Sequence, residues 1–225
     1  MSAVAPRRDL VLLVADKSIA QAITGLLQRP QALGMRRIDY ETRVHQQRDP
    51  GCRVDAAAFL RPFASRFEHA LVVFDRDGCG SDAPRREIEE GVESELRRNG
   101  WGCRARVVVI DPELEVWVWT ASRSLANELG WGSRFAALRD WLSETGHWPT
   151  ETAKPPDPKR AMEAAMQARR RPKSASTFRR LAEVLRFRDC SDDAFQKLHE
   201  VLVEWFGDPS PSEPELPGTG AANES

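Results

Sequence analysis

The sequence lacks the features that mark membrane proteins and disulfide-rich secreted proteins. No apolar run approaches the roughly 18 residues that a membrane-spanning helix needs. The longest apolar run near the N-terminus, residues 10–15, is not followed by a cleavage-like pattern. The four cysteines are scattered without Cys-x-x-Cys spacing, so neither a zinc site nor a disulfide framework is predicted. We expect a soluble, cytoplasmic protein with reduced thiols.

The chain also lacks an excess of charge of either sign. It has 33 Lys and Arg residues against 34 Asp and Glu residues, for a formal net charge of −1. Any contact with nucleic acid therefore requires a local basic surface. The length of 225 residues, with 41% hydrophobic residues, is enough for one large domain, or for one domain with a helical extension.

Short apolar runs alternate with helical periodicity in the first half of the chain. Residues 10–15, 70–74 and 107–110 are predicted to be buried strands, and the more polar residues 35–42 a second strand between the first two. Helical spacing follows in residues 19–27 and 88–96. Strands that alternate with helices indicate an α/β fold with a mainly parallel, doubly wound sheet flanked by helices.

The second half of the chain is predicted to be helical. We divide the chain into a flexible leader (1–8), an α/β domain (9–120), a helical extension packed on it (121–206) and a disordered tail (207–225) rich in Pro, Gly, Ser and Glu. Trp117 and Trp119 alternate as in a strand, so we expect only one of them to point inward.

Acidic residues follow three of the predicted strands. Asp75 and Asp77 end the strongest strand, Asp16 follows the first, and Glu113 and Glu115 follow the strand that ends at residue 110. Ligand sites in open parallel sheets lie at the carboxyl ends of the strands. Carboxylates are the ligands that Mg²⁺ favours, and their mutual repulsion would be costly without a cation. The sequence therefore predicts a Mg²⁺ (or Mn²⁺) site, although an Asp-x-Asp pair also occurs in plain turns with a surface ion pair.

At these residues the chain resembles the Toprim superfamily, and more closely the Toprim-like proteins of the RloB type from bacterial anti-phage defence loci. The resemblance covers roughly residues 9–120. It rests on Asp16 after the first strand, on the Asp75 and Asp77 pair, and on Glu115 followed closely by Trp117. The stretch is also similar to a small protein of methylation-associated defence systems. Toprim enzymes usually carry Glu, often followed by Gly, where this chain has Asp16 and Lys.

The resemblance implies a Toprim-like Rossmannoid sheet and phosphodiester chemistry. By that resemblance Asp75 and Asp77 would bind the metal, and Glu113 or Glu115 would complete its shell or orient it. Asp16 and Glu115 would be the catalytic residues, with Asp16 either holding the metal or acting as general acid or base. It also implies other defence-system proteins as partners.

The helical half carries a basic stretch. Residues 158–189 contain ten Lys or Arg residues against three acids, with the densest point at Arg169, Arg170, Arg171 and Lys173. Such a patch is suited to a nucleic-acid backbone, DNA or RNA, and equally to a solvated helix face or an acidic protein. Lys154 and Lys159 flank a proline-rich break and are candidate phosphate ligands, or ordinary surface lysines.

Two functions are compatible with these features. One is a metal-dependent nuclease or phosphodiester-processing enzyme of a defence system. The other is a non-catalytic Toprim-like subunit that binds a partner protein or nucleic acid in a defence complex. A receiver domain of a response regulator fits poorly, because its acidic pair belongs after the first strand.

Overall fold

A four-stranded parallel sheet forms the core of the protein. The computed structural model describes residues 6–119, 122–184 and 190–208. All three strand pairs are parallel, and the strand order is β2-β1-β3-β4. The predicted α/β fold with a parallel sheet and flanking helices is therefore confirmed. The strands are β1 (Arg8–Val14), β2 (Tyr40–Val44), β3 (Phe67–Asp75) and β4 (Ala105–Ile110).

Ten α-helices surround the sheet within the described residues. The first five connect the strands: α1 (Lys17–Leu27), α2 (Pro30–Leu33), α3 (Arg48–Val54), α4 (Ala56–Leu60) and α5 (Arg85–Leu96). The other five form the C-terminal extension: α6 (Arg123–Glu128), α7 (Phe135–Glu144), α8 (Pro158–Ala168), α9 (Ala175–Val184) and α10 (Asp193–Phe206). Short 3-10 turns span Arg61–Phe63 and Leu114–Trp117, and a π-helical turn spans Arg97–Trp101. No helix among these described segments has the length and apolar content to cross a membrane.

The chain reverses its direction across the sheet at β1. It passes from β1 to β2 on one side, and then returns to β3 on the other side of β1. Right-handed crossovers therefore place α1 on one face, and α3, α4 and α5 on the opposite face, where α4 contacts α5. The crevice at the carboxyl ends of β1 and β3 is the topological switch point, where open α/β sheets bind ligands.

The central strands have the continuous apolar character that burial on both faces requires. All side chains from Leu10 to Val14 and from Ala70 to Phe74 are buried. The second strand differs from its predicted position. It lies at Tyr40–Val44 rather than at residues 35–42, because Met35 instead forms an isolated antiparallel bridge with Gly207.

The C-terminal helices pack on the sheet domain from two directions. Helix α9 lies against α1, and α10 lies against β4 and α2. Tryptophans join the extension to the core: the indole N–H of Trp117 donates to Asp192 at 2.8 Å, and that of Trp119 donates to the Pro158 carbonyl at 3.0 Å. Both side chains are buried, so the expectation that only one points inward is wrong. The reason is that Leu114–Trp117 is a 3-10 turn, in which the period-2 alternation of a strand does not apply.

At the β4 edge of the sheet, side chains satisfy the backbone groups that face outward. At the β4 edge, the outward N–H groups of Val107 and Val109 donate to the carboxylates of Glu93 and Glu89, both at 2.9 Å. Lys197 of α10 bridges those two carboxylates. The polar backbone of this edge is therefore capped by side chains.

Candidate functional site

Asp75 lies at the switch point, as the last residue of the buried strand β3. Although the residue as a whole is half-buried, its Oδ1 atom is buried and has no hydrogen-bond partner among the described residues. An unpartnered buried carboxylate oxygen is costly, and natural folds keep such atoms rarely. This oxygen is available to a ligand.

Four further carboxylates surround Asp75 closely enough to act on it electrostatically. Burial is the largest cause that raises the pKa of Asp75 well above its ordinary value, and the charges of Asp49, Glu115, Asp16 and Glu113 raise it further. The strand-end acids predicted from the sequence are thus brought to one edge of the sheet. Their grouping concentrates negative charge where a cation would be stabilised most.

Asp16 connects this cluster to helix α1. Its Oδ1 accepts the N–H groups of Ser18 at 2.7 Å and Ile19 at 2.9 Å, so Asp16 is the N-cap of α1. Its neighbour Lys17 is exposed, and no ion pair joins these two described residues. The capping bonds fix the carboxylate at the end of β1, beside the end of β3.

Asp77 lies on the exposed side of the cluster. Its backbone N–H donates to the Pro112 carbonyl at 3.0 Å, which extends the contact between the ends of β3 and β4. Gly78 and Gly80, with φ of 82° and 77°, let the chain turn back immediately afterwards. Asp77 and both glycines line an open groove of about 380 Å³.

Two lysines of the helical extension reach the glutamates of the cluster. Lys159 lies 2.8 Å from Glu113, and Lys173 lies 2.7 Å from Glu115. Burial raises the pKa of Glu113, and the bond from Lys159 only partly offsets this effect. The pKa of Lys159 is raised, chiefly by that bond, and the charges of Glu115 and Asp75 add to it. The lysines therefore neutralise one side of the cluster.

Asp49 belongs to the cluster, although the sequence did not single it out. It lies in the first turn of α3, and its Oδ1 accepts the backbone N–H of Asp75 at 2.9 Å. Burial raises its pKa, and the charge of Asp16 adds to the increase. The signal that was available is an acidic residue a few positions after β2, the one strand to which no acidic residue had been assigned. With Asp49, a carboxylate of the cluster ends or follows each of the four strands.

The basic residues predicted to bind nucleic acid are separated in the structure. Lys173 faces the carboxylates and also pairs with Glu163 at 3.0 Å. Arg169, Arg170 and Arg171 are exposed at the end of α8, where the guanidinium of Arg169 lies 3.8 Å from the centre of the Trp131 ring.

The two predicted phosphate ligands also differ in their placement. Lys154 pairs with no carboxylate in the described segments; its ammonium donates to the Val116 carbonyl at 3.0 Å. Lys159, by contrast, lies at the carboxylate cluster through its bond to Glu113. Of this pair, only Lys159 is placed beside the acidic residues.

The donor set suits a hard divalent cation. Among the described residues no three Asp, Glu, His or Cys side chains converge in the manner of a complete protein metal cage. Mg²⁺ does not require one, because it commonly takes one or two carboxylates and keeps several waters. The unpartnered Oδ1 of Asp75, on which the charges of four further carboxylates act, fits that mode of binding.

Comparisons with known proteins identify no relative of this chain. No protein-family model, no curated protein and no solved structure matches the chain. We therefore infer function from the geometry of the carboxylate cluster and from the sequence motifs that form it.

Proposed function

We propose that the protein is a Mg²⁺-dependent (or Mn²⁺-dependent) enzyme that acts on phosphodiester bonds, a nuclease or a related phosphodiester-processing enzyme. One observation carries the proposal: the buried, unpartnered oxygen of Asp75 at the switch point, inside a cluster of carboxylates that end or follow the four strands. A purely structural role gives no reason to bury an unpaired carboxylate among like charges.

The residues of the cluster have separable roles in this proposal. Asp75 and Asp77 would hold the metal, and Glu113 would complete its surroundings. Bound there, the metal would neutralise charge on the phosphate and favour ionisation of the attacking water. Asp16 is held by its two capping bonds, which leave its second oxygen to transfer the proton. Glu115 would orient the ligands around the metal.

Lysines and arginines would contact the substrate. Lys159 is placed beside Asp75 and Glu113, where it can exchange its carboxylate partner for a phosphate oxygen. The exposed arginines 169–171 would bind the backbone of DNA or RNA farther along α8. We also propose a cytoplasmic location, and the resemblance adds a place in an anti-phage defence system with partner proteins. The four free cysteines agree with a reducing compartment.

Thermal unfolding with and without metal tests the site itself. At a metal concentration ten times a millimolar Kd, binding stabilises the fold by about 1.4 kcal/mol, which for a chain of this size raises Tm by about 3–6 °C. We expect this rise for the wild type, but not for Asp75→Asn or the double variant Asp75→Asn/Asp77→Asn. In EDTA, Asp75→Asn should be more stable than the wild type, because it removes a buried charge. Asp82→Asn, an exposed acid in the same loop, is the matched control and should behave as the wild type.

Cleavage assays then test the reaction. Labelled single-stranded DNA, duplex DNA and RNA are incubated with Mg²⁺, Mn²⁺ or EDTA. Metal-dependent cleavage that Asp75→Asn abolishes and Asp82→Asn retains would establish the activity. If metal fails to stabilise the wild type and no substrate is cleaved, the proposal is wrong.

The lysine contacts favour a second candidate, a non-catalytic subunit that binds a partner or nucleic acid. Lys159 and Lys173 already balance part of the acidic charge without a metal. In that case Lys159→Gln should lower the stability in EDTA, and metal should not restore it. In the enzyme, by contrast, metal should offset the lost cation.

A further inference from the structure

Within the part of the chain that the structure describes, the β2 edge of the sheet is uncapped, in contrast to the β4 edge. The N–H of His45 donates to the Val14 carbonyl, so residues 41, 43 and 45 turn their backbone groups toward β1. Tyr40, Thr42 and Val44 therefore turn theirs away from the sheet. Among the described residues, only Arg8 contacts this outward row, through the carbonyl of Tyr40. The N–H and C=O groups of Thr42 and Val44 remain available to a further strand.

The five residues of β2 are complementary to themselves when two copies run antiparallel. With Thr42 opposite Thr42 of the partner subunit, Tyr40 faces the partner subunit's Val44, and Glu41 faces the partner subunit's Arg43. The outward backbone groups then fall in hydrogen-bonded pairs, and the charged residues fall in the closer, non-hydrogen-bonded pairs. A shift of the register by one residue would lose both matches.

The neighbourhood of the edge agrees with this pairing. Val44 is 42% exposed, which is high for a strand valine, and Arg43 is exposed beside it. The glutamate and the arginine already share one face of β2, where Glu41 pairs with Arg43 and Arg8. A second copy would place another Glu41 and Arg43 beside these residues, so that opposite charges again face each other between the two copies.

A second copy fits the edge better than the chain's own C-terminal segment. The described chain ends at residue 208, near the start of β2, because Arg36 donates its N–H to the Phe206 carbonyl. Residues 209–217 contain four prolines, which lack the N–H group that each ladder position requires.

We propose that two copies of the chain associate through β2 in antiparallel register about Thr42, so that both sheets form one continuous sheet with β4 at each outer edge. The capped β4 edges then stop further growth. Because the two-fold axis reverses the strand direction, the carboxyl ends of the strands point in opposite directions in the two copies. The two carboxylate clusters therefore lie at opposite ends of the strands of the shared sheet. Association is therefore independent of the metal chemistry proposed above.

Cross-linking across the axis tests the register. In a hydrogen-bonded antiparallel pair the two Cα atoms are about 5.5 Å apart, within the range that a disulfide spans. In a Cys103→Ser background, which removes the exposed thiol, Thr42→Cys should form a covalent dimer under mild oxidation. Val54→Cys, which is 63% exposed but lies off the axis, is the control and should cross-link much less. Equal cross-linking at both positions would overturn the proposal.

The charge pairs are tested by light scattering on the full chain. The wild type should reach twice the 25.3 kDa chain mass as its concentration rises. Arg43→Glu places like charges opposite each other twice and should weaken association about tenfold or more, while Arg43→Lys should retain it. Both variants should keep the far-UV circular dichroism spectrum of the wild type, which reports folding separately. A wild type that stays at the single-chain mass up to its solubility limit would refute the pairing.

Discussion

Truncation of Glu89 should destabilise the protein strongly, although the residue lies outside the candidate site. Its side chain is only 4% exposed. One oxygen accepts the Val109 N–H at 2.9 Å and Arg85 at 2.9 Å, and the other accepts Lys197 at 3.1 Å. Glu89 therefore joins the β4 edge, its own helix α5 and helix α10.

The expected loss follows from what Glu89→Ala leaves behind. An unsatisfied buried N–H costs about 1–3 kcal/mol, and removal of one partner of a buried ion pair costs about 3–5 kcal/mol. These costs overlap, because Lys197 keeps its bond to Glu93 at 3.0 Å. We expect a loss of about 3 kcal/mol in the free energy of unfolding, which lowers Tm by about 10 °C. Glu89→Gln keeps an acceptor for Val109 and should lose only about half as much.

Urea unfolding measured by circular dichroism gives the free energy directly. Glu90→Ala is the matched control, because it is the exposed neighbour on the same helix and should change stability by less than about 0.5 kcal/mol. If Glu89→Ala costs no more than Glu90→Ala, the capping of the β4 edge contributes nothing to stability and this prediction is wrong.

Two further predictions concern packing and pH. Gly25→Ala should lower the free energy of unfolding by about 1–3 kcal/mol, because the added Cβ would lie 2.7 Å from the Arg179 carbonyl of α9. Gly91→Ala on α5 places its Cβ where no atom lies within 4 Å, so it should stabilise the protein by up to about 1 kcal/mol. Thermal unfolding of both variants checks this, and equal effects would contradict it. Burial lowers the pKa of His69, which stacks on Trp205, so the unfolded chain binds this proton more readily. Stability should therefore fall as the pH drops below about 6.5, and this component of the pH profile should vanish in His69→Gln.

The sequence was sufficient for the parts of the fold that local pattern dictates. The continuous apolar runs of β1, β3 and β4 correspond to strands buried on both faces, and the alternation with helices predicted the parallel sheet. The more polar β2 was misplaced, since a short edge strand carries a weak pattern and its bounds depend on the register with β1.

The acidic site was also largely predictable. Asp16, Asp75 and Glu113 could be grouped because parallel strands end at one edge of the sheet, so residues far apart in sequence share a location. Asp49 was missed because it lies in the first turn of a helix, and its link to the site is a contact with the backbone of Asp75, 26 residues away.

Other features were decided by tertiary structure alone. Lys159 and Lys173 reach their glutamates across 46 and 58 residues, and no local pattern distinguishes them from the exposed arginines beside them. The sequence by itself determined which residue types stand at the strand ends, because strand character and chain direction are properties of short segments. Only the packing of α8 and the residues after it against the 3-10 turn Leu114–Trp117 decided which cations face those carboxylates, because that choice depends on contacts between segments that no periodicity encodes.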